Sequence, residues 1–240
     1  MGRAFEFRKE RKMKRWAGMA KAFTKVGREI AIAVKEGGGN PEYNPRLRLA
    51  IQNAKAVNMP KANVEAAIKR ATSKESENFD EVSYEGYGPH GVAILVETTT
   101  DNINRTVANM RHIFSKYGGS LGTNGSVDYM FTRKGQFTLK AENFSGDQDE
   151  LELNLIDFGL DSIEREDDEI VLYSAFEDFG NLQKGLEEMG IEVDKAELIR
   201  IPSHTKQLSD DQVEDVITIL DKLEEDDDVA NVFHTMDESE

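Results

Sequence analysis

The 240-residue sequence contains no cysteine, five prolines and a single tryptophan. Without cysteine, disulfide bonds, thiol catalysis and thiolate metal sites are excluded. The longest apolar runs, IAIAV and GVAILV, are far shorter than the roughly 20 residues that a membrane-spanning helix needs. No apolar segment of a secretory signal follows the first charges, and Glu6 and Glu10 disfavour a transit peptide, because such peptides contain few acids. We therefore expect a cytoplasmic protein without a membrane segment.

Charge is abundant in this sequence, and it is divided unevenly along the chain. Residues 1–72 contain 17 Lys and Arg against 6 Asp and Glu, a net charge of +11. Residues 73–240 contain 13 against 40, a net charge of −27, so the whole chain carries −16. Such asymmetry indicates that the basic part meets a polyanion. The acidic part would be repelled by a phosphate backbone, so we expect it to face away or to serve another purpose.

The basic third has the periodicity of three amphipathic helices. In the first helix, apolar residues recur every three or four positions from Met19 to Val34, and Lys21, Lys25, Arg28 and Lys35 lie about 200° around the helix axis from them. Asn44 and Pro45 predict the N-cap and first position of a second helix, and a third starts near Pro60. Short connections predict a small helical bundle, and the polar stretch TSKESENFD is typical of a linker.

Beyond the linker the pattern alternates strands and helices. GVAILVETT and SVDYMFTRK predict strands on either side of the helix DNINRTVANMRHIFSK. From QFTLK to KAELIRIP the order is β-α-β-β-α-β, that of a ferredoxin-like domain. A helix and a strand follow Pro202 and do not belong to this complete βαββαβ unit. The unit before it, from GVAILVETT to SVDYMFTRK, has just one strand, one helix and a second strand. We therefore expect the C-terminal tail to return and complete that unit.

These elements predict an α+β multidomain fold. An N-terminal helical bundle precedes two ferredoxin-like α/β domains, and the last of these is inserted into the second. The predicted boundaries are residues 1–75 for the basic helical domain, 79–133 plus 203–240 for the α/β domain, and 134–202 for the inserted βαββαβ domain.

Several long stretches resemble the YebC/PmpR family: YEGYGPHGVAILVE, TDNINRTVANMRHIFSKYGGSLGTNGSVDYMF, NPRLRLAIQNAKAVNMPKANVEAAIKRA and DDVANVFH. The resemblance extends from about Lys21 to the end of the chain. It implies a helical domain and two α/β domains, with the chain returning to the second. It also implies a cytoplasmic, non-enzymatic regulator that binds nucleic acid. Family members are described as DNA-binding transcriptional regulators and as ribosome-associated translation factors, including a mitochondrial translational activator.

The first residues depart from the commonest family pattern. Many members open with a GHSKW-like stretch, whereas this chain opens with MGRAFEFRKERKMKRWAGMAKAF. No family contact in that segment is therefore transferred to this chain. The segment contains a basic cluster around Trp16, which either stacks on an unpaired base or anchors the first helix on the bundle.

The cations of the helical third form the predicted nucleic-acid interface. A basic run alone is typical of a solvated tail. The adjoining cationic helix face and further cations, Lys69 and Arg70 among them, favour phosphate contact, since such charges supply most of the affinity for nucleic acid. The predicted site residues are Arg8, Lys9, Arg11, Lys12, Lys14, Arg15, Trp16, Lys21, Lys25, Arg28, Lys35, Arg46, Arg48 and Lys55.

Other motifs are better explained as structure than as chemistry. GYGPHG spells G-x-G-x-x-G but precedes a strand and contains Pro89, so it predicts a turn rather than a dinucleotide fingerprint. GGSLGTNGS predicts a helix end followed by a turn. The four histidines lack metal-ligand spacing, and the acidic runs 167–169 and 224–228 fit no EF-hand loop and predict turns. We predict no enzyme, no cofactor and no metal.

The leading functional hypothesis is a regulator of gene expression that binds DNA or ribosomal RNA. We expect it to be a monomer that does not bind membranes, and the ribosome is a candidate partner. The third helix offers few side chains that read bases, Lys61, Asn63 and Lys69, which favours recognition of backbone or shape, as in structured RNA. One alternative is an acidic α/β interaction module that docks a basic partner. A second is an enzyme with its site in a cleft between domains.

Overall fold

The computed structural model describes residues 19–73, 78–143, 146–166 and 168–238. Its first elements are three helices, α1 (Met19–Gly37), α2 (Pro45–Ala56) and α3 (Lys61–Ala71). They enclose a small apolar core to which each helix contributes, including Ile30, Leu47 and Val64. The helical bundle predicted from periodicity is therefore present in the described residues.

Asn44 fixes the connection between α1 and α2. Its amide Nδ2 donates to the carbonyl oxygens of Ala33, at 2.6 Å, and of Gly38, at 2.8 Å. Its Oδ1 accepts a hydrogen bond from the backbone N–H of Leu47 at 3.0 Å. One buried side chain thus satisfies backbone groups at the end of one helix and at the start of the next. The predicted cap at Asn44, followed by Pro45 in the first turn, is confirmed.

The remaining chain alternates strands and helices. In chain order these elements are β1 (Asp80–Tyr87), β2 (Ala93–Thr100), α4 (Ile103–Lys116), β3 (Ser120–Leu121), β4 (Phe131–Lys140), α5 (Gln148–Ile156), β5 (Leu160–Glu166), β6 (Glu169–Ala175), α6 (Phe179–Glu188), β7 (Lys195–Pro202), α7 (Asp210–Glu224) and β8 (Val229–His234). Short 3₁₀ turns lie at Pro89–Gly91, Asp128–Met130 and Ala141–Asn143.

The first sheet has the strand order β3-β1-β2-β8, and each neighbouring pair is antiparallel. The last strand of the chain therefore lies beside β2, with Ile94 opposite His234 and Val96 opposite Val232. Helices α4 and α7 supply Phe114 and Leu220 to the core on one face of this sheet. The C-terminal helix and strand thus complete a sheet that begins about 150 residues earlier.

The second sheet has the order β5-β6-β4-β7 and is also antiparallel. Helices α5 and α6 pack on it through Leu151, Leu155, Leu182 and Leu186, around Phe137. Two four-stranded antiparallel sheets and the helices confirm the mixed α+β class. The division into three domains at the boundaries given above stays a prediction.

Two strand assignments are wrong. SVDYMFTRK and QFTLK were predicted as separate strands, but β4 is one strand that lies wholly in the second sheet. Gly135 is not a turn residue between them: a Cβ there would lie 2.5 Å from Ser174 Oγ and 2.6 Å from the Phe179 ring, so the glycine permits close packing inside the strand. The prediction also omitted β1, whose place in the first sheet it gave to residues 126–134.

A buried carboxylate explains why residues 126–130 do not extend the strand. Glu85, on β1, accepts backbone N–H groups from Gly125 at 2.6 Å, Val127 at 2.7 Å and Asp128 at 2.8 Å. These three bonds hold the segment in a turn that leads into a 3₁₀ helix. Burial alone raises the pKa of Glu85, but the three backbone donors outweigh it, and its pKa lies below the ordinary value.

GYGPHG is a turn, as predicted, whereas GGSLGTNGS is a helix end and a turn that also contain the two-residue strand β3, which the prediction lacks. In GYGPHG the chain reverses between β1 and β2, with His90 at φ 59° and Gly91 at φ 72°. GGSLGTNGS follows α4, and Gly118 has φ 79°, the left-handed conformation that commonly ends a helix. The acidic run 224–228 covers the end of α7 and the turn before β8, as expected, whereas Asp167 lies outside the described residues.

Candidate nucleic-acid interface

The basic cluster around Trp16 lies outside the described residues, and its predicted role stays a prediction. The structure places the remaining predicted site residues on α1 and α2 or next to them. They divide into cations that contact other parts of the chain and cations that face solvent. The division does not follow the helical periodicity that predicted them.

Arg28 is engaged within the protein. Its guanidinium Nη1 donates to the backbone oxygens of Thr99, at 2.9 Å, and Asp227, at 2.5 Å, and to Asp228 Oδ1 at 3.1 Å. The guanidinium also lies over the ring of Phe79, 5.5 Å from its centroid. The side chain is 17% exposed. The position of Arg28 opposite the apolar stripe of α1 predicts a side chain open to solvent, and that prediction is wrong, because helix α1 packs this side against the first sheet.

Asp228 is the centre of the polar cluster that Arg28 joins. Its side chain is 3% exposed. Arg105 Nη2 donates to both of its carboxylate oxygens, at 3.0 and 2.8 Å. The hydroxyls of Thr106 and Thr100 donate to Oδ2 at 2.8 and 3.1 Å. Burial raises the pKa of Asp228, but these hydrogen bonds outweigh it and hold the pKa below its ordinary value.

The acidic turn, defined here as residues 225–228, lies along the cationic side of α1. Lys21 Nζ donates to the backbone oxygen of Glu225 at 2.7 Å, while its side chain remains exposed. Lys25 is half-buried on the same side of the helix. Part of the acidic body therefore meets the basic domain instead of facing away from it, since its carbonyl and carboxylate oxygens accept hydrogen bonds from Lys21 and Arg28.

Arg46 and Arg48 also make intramolecular contacts. The guanidinium of Arg46 bridges Glu36 Oε2, at 2.7 Å, and Glu81 Oε1, at 2.6 Å. Arg48 Nη1 donates to the backbone oxygens of Pro41, at 2.9 Å, and Glu42, at 3.1 Å. Both arginines are half-buried, so their hydrogen bonds explain their positions without a nucleic acid.

The helical bundle contacts the second sheet as well as the first. On α2, Gln52 Nε2 donates to the backbone oxygen of Val193 at 2.6 Å, and Asn53 Oδ1 accepts the N–H of Ala196 at 3.3 Å. Leu49 packs against the apolar core of the second sheet. The bundle is thus positioned by contacts to both sheets.

Five cations on the three helices of the bundle are exposed, and we call them the exposed cations: Lys35, Lys55, Lys61, Lys69 and Arg70. The first two are predicted site residues. The other three lie on α3 and are absent from the predicted site. Their exposure could have been predicted, because on a helical wheel they lie away from the buried Val64 and Ala71. Lys61 Nζ is 3.8 Å from Glu65 Oε1, a solvent-exposed pair that contributes little.

A cleft of about 890 Å³ is lined by residues of α1, α3, the start of α4 and the acidic turn. One wall presents Asn63 and Arg70 from α3, and the opposite wall presents Asp101 and the acids of the acidic turn. The cleft is therefore divided in charge: Arg70 lies on the α3 wall, whereas the acids outnumber Arg105 on the other. A phosphate group in the cleft would be favoured near the α3 wall.

Within the described ranges, no cluster of His, Asp or Glu side chains is arranged to hold a metal ion. In the same residues, none of the helices has the length and apolar character required to cross a bilayer. The acids with shifted pKa values are Glu29, Glu85 and Asp228. In these described acids, the pKa shift follows from burial and from hydrogen bonds within the fold, so the shifts do not by themselves indicate a catalytic site.

Comparison with known proteins gives matches along the full chain. A family model described as the TACO1/YebC second and third domain matches residues 79–236, and one described as the TACO1/YebC N-terminal domain matches residues 3–74. A probable transcriptional regulatory protein of Flavobacterium psychrophilum is 56% identical over 238 residues, covering 99% of this chain and 100% of that protein. One of Porphyromonas gingivalis is 54% identical over 240 residues, covering 100% of this chain and 99% of that protein.

A solved structure is also similar. The crystal structure of a conserved hypothetical protein from Aquifex aeolicus matches with a TM-score of 0.79 and 41% sequence identity, over 91% of this chain and 90% of that one. The likeness therefore extends across most of both chains, in fold and in sequence.

Proposed function

The chain belongs to the TACO1/YebC family, and we propose that it is a non-enzymatic regulator of gene expression that binds nucleic acid through its basic helical domain. The relatives' description as probable transcriptional regulatory proteins supports the regulatory role. The observation that carries the binding proposal is the set of exposed cations on the three helices of this domain. We infer a monomer that acts in the cytoplasm.

The charge distribution supports this surface over any other. Residues 1–72 carry +11 and the rest of the chain −27. Because affinity for nucleic acid comes largely from cations that neutralise phosphates, the helical domain is the part of the chain suited to bind it. The acidic sheets on the far side limit how far a polyanion can wrap around the protein.

We further propose that the target is structured RNA, with ribosomal RNA the first candidate. Along α3, the exposed residues Ala62 and Ala66 offer no side-chain hydrogen-bonding group, and Asn63 is the exposed amide, so few exposed side chains can form the paired hydrogen bonds that read a base pair. Contacts to phosphates position a protein without specifying a sequence. A surface of this composition favours recognition of backbone and shape, the usual mode for folded RNA.

Competition binding at fixed salt tests the proposal. Ribosomal RNA fragments and duplex DNA of matched length would compete for the full-length protein. We expect the RNA to bind more tightly. A duplex preference above about tenfold, roughly 1.4 kcal/mol, together with sequence selectivity, would instead establish a DNA target. Sedimentation with ribosomes, and release by RNase but not DNase, would support the RNA target in cell extracts.

A further inference from the structure

We propose that the acidic turn, residues 225–228, occupies a phosphate site on helix α1 as an internal competitor, so that nucleic acid must displace it to reach Arg28 and Lys21. The inference rests on the proposed function, because it concerns regulation of the same basic domain. It assigns the cationic side of α1 two alternative partners: the acidic turn in the free protein, and backbone phosphate in the complex.

The contacts around Arg28 resemble those that a phosphate group would make. Three oxygens from two segments, those of Thr99, Asp227 and Asp228, converge on one guanidinium nitrogen within 3.1 Å. Lys21 donates to a fourth oxygen, that of Glu225. Guanidinium and ammonium groups bind phosphate through the same charge-assisted hydrogen bonds to oxygen. The acidic turn thus presents to α1 the type of acceptor that a nucleic acid would present.

The contact can open without leaving a buried charge unpaired. If Arg28 withdraws, Asp228 keeps both hydrogen bonds from Arg105 and those from Thr106 and Thr100. An ion pair whose loss strands a buried carboxylate would be strongly unfavourable to break. Here Arg105 continues to neutralise the Asp228 carboxylate after Arg28 leaves. The main cost of opening is therefore the loss of the hydrogen bonds of Arg28, and a bound phosphate can replace them.

An open cleft adjoins the contact. Arg28, Asp227 and Asp228 all line this cleft of about 890 Å³, so their contact borders a space that solvent or a ligand can enter. The apolar core of the bundle is separate from that of the first sheet. The helical bundle, moving as a unit about its Leu49 contact with the second sheet, can therefore draw α1 away from the acidic turn without opening either of these two cores, and a polyanion can approach the cations through the open cleft.

The test uses two variants that break the same ion pair from opposite sides. Arg28→Gln removes the shared cation, so RNA affinity should fall about threefold or more. Asp228→Asn removes the buried charge of the acidic turn, so RNA affinity should rise about threefold or more. A change of this size is typical of the interaction between one pair of charges. Because Asp228 is buried, a second variant, Glu225→Gln with Asp227→Asn, changes two exposed acids and should also tighten binding.

Matched controls separate local competition from overall charge. Asp211→Asn removes an exposed acid at the opposite end of α7, roughly 20 Å along the helix. Lys184→Gln removes an exposed cation on α6. Both should leave affinity for a structured ribosomal RNA fragment within about 1.5-fold of wild type once salt exceeds physiological strength, where distant charges are screened.

The outcomes are distinct. Opposite changes in Arg28→Gln and in the acidic-turn variants establish competition. Weaker binding in all of them would show that the docked arrangement forms the binding surface, and unchanged binding would show that the nucleic acid lies elsewhere; either result overturns the inference and leaves the proposed function standing. Wild-type protein that binds neither RNA nor DNA would overturn both.

A distance measurement supplies an independent readout. The chain has no cysteine, so Ser73→Cys with Thr218→Cys places two spectroscopic labels at exposed positions on the helical domain and on α7. Saturating RNA should lengthen the distance between the labels, and Arg28→Gln should lengthen it without RNA. An identical distance in free and bound protein would contradict the proposal.

Discussion

The guanidinium of Arg28 lies 3.1 Å from the carboxylate of Asp228, which is 200 residues further along the chain. The first residue belongs to the basic helical domain and the second to the turn that precedes the last strand. Their contact joins the two ends of the described chain at the side of the first sheet. It also shows how a protein with a charge of −16 accommodates a strongly basic domain: part of that domain's charge is satisfied internally.

The hydroxyl of Thr106 should contribute measurably to stability. It is fully buried and donates to Asp228 Oδ2 at 2.8 Å, while lying 2.7 Å from the Thr100 hydroxyl. Thr106→Val keeps the shape and removes these bonds, so we expect the free energy of unfolding to fall by about 1–3 kcal/mol. Thr218→Val, at an exposed position of α7, should change it by less than about 0.5 kcal/mol. Equal effects in urea titrations would refute the importance of the polar cluster.

Acid should destabilise the protein through Asp228 and Glu85. Both have pKa values below their ordinary values of 3.8 and 4.5 in the folded state. Their contribution to stability is therefore fully present above the ordinary values and is lost as pH falls through the lower folded-state values. Glu85→Gln should lower stability at neutral pH, because three backbone donors face the side chain, and should flatten the decline below about pH 4.5. If the stability of Glu85→Gln falls below pH 4.5 as steeply as that of wild type, Glu85 does not contribute to the acid sensitivity.

Glu29 should have the opposite effect. Burial raises its pKa above the ordinary value of 4.5, although hydrogen bonding from Asn53 opposes the shift. A raised carboxyl pKa means that stability decreases as pH increases from 4.5 through the folded-state value. Glu29→Gln retains an oxygen for the Asn53 amide and removes the disfavoured charge, so the variant should be more stable than wild type at pH 7. Thermal unfolding at pH 4 and pH 7 measures the difference, and destabilisation at pH 7 would contradict the prediction.

Hydrogen exchange can test whether the C-terminal helix stabilises the first sheet selectively. Leu220, on α7, is fully buried in the core of that sheet, and Leu172, on β6, is fully buried in the core of the other. Each Leu→Ala change should cost about 2–5 kcal/mol. Leu220→Ala should increase exchange in β1, β2 and β8 more than in β4 to β7, and Leu172→Ala should do the reverse. The same exchange pattern in both variants would contradict the predicted domain division.

Local features were predictable because the sequence contains their causes. The Asn44 cap with Pro45, the reversal at Pro89 and the end of α4 at Gly118 each follow from the conformational preferences of one or two residues. The return of the C-terminal strand followed from counting unpaired elements. These inferences need no knowledge of distant contacts.

Features that depend on distant contacts were not predictable. Strand β1 was not predicted because its apolar alternation is confined to Val82 and Tyr84 between flanking acids, and Glu85 is buried by a turn about 40 residues away. The engagement of Arg28 was missed because a helical wheel shows which side is polar, but not what covers it. Lys61, Lys69 and Arg70 could have been included, since the exposed side of α3 is evident from its periodicity.

The salt dependence of RNA affinity tests the central claim most directly. Lys55→Gln, Lys69→Gln and Arg70→Gln together change three exposed side chains, so the melting temperature should stay close to that of wild type. If these cations contact phosphates, the slope of log K against log salt should shrink by about 0.7 to 0.9 per lost contact, up to about 2 to 3 in all. An unchanged slope in the folded triple variant would contradict binding through the helical domain.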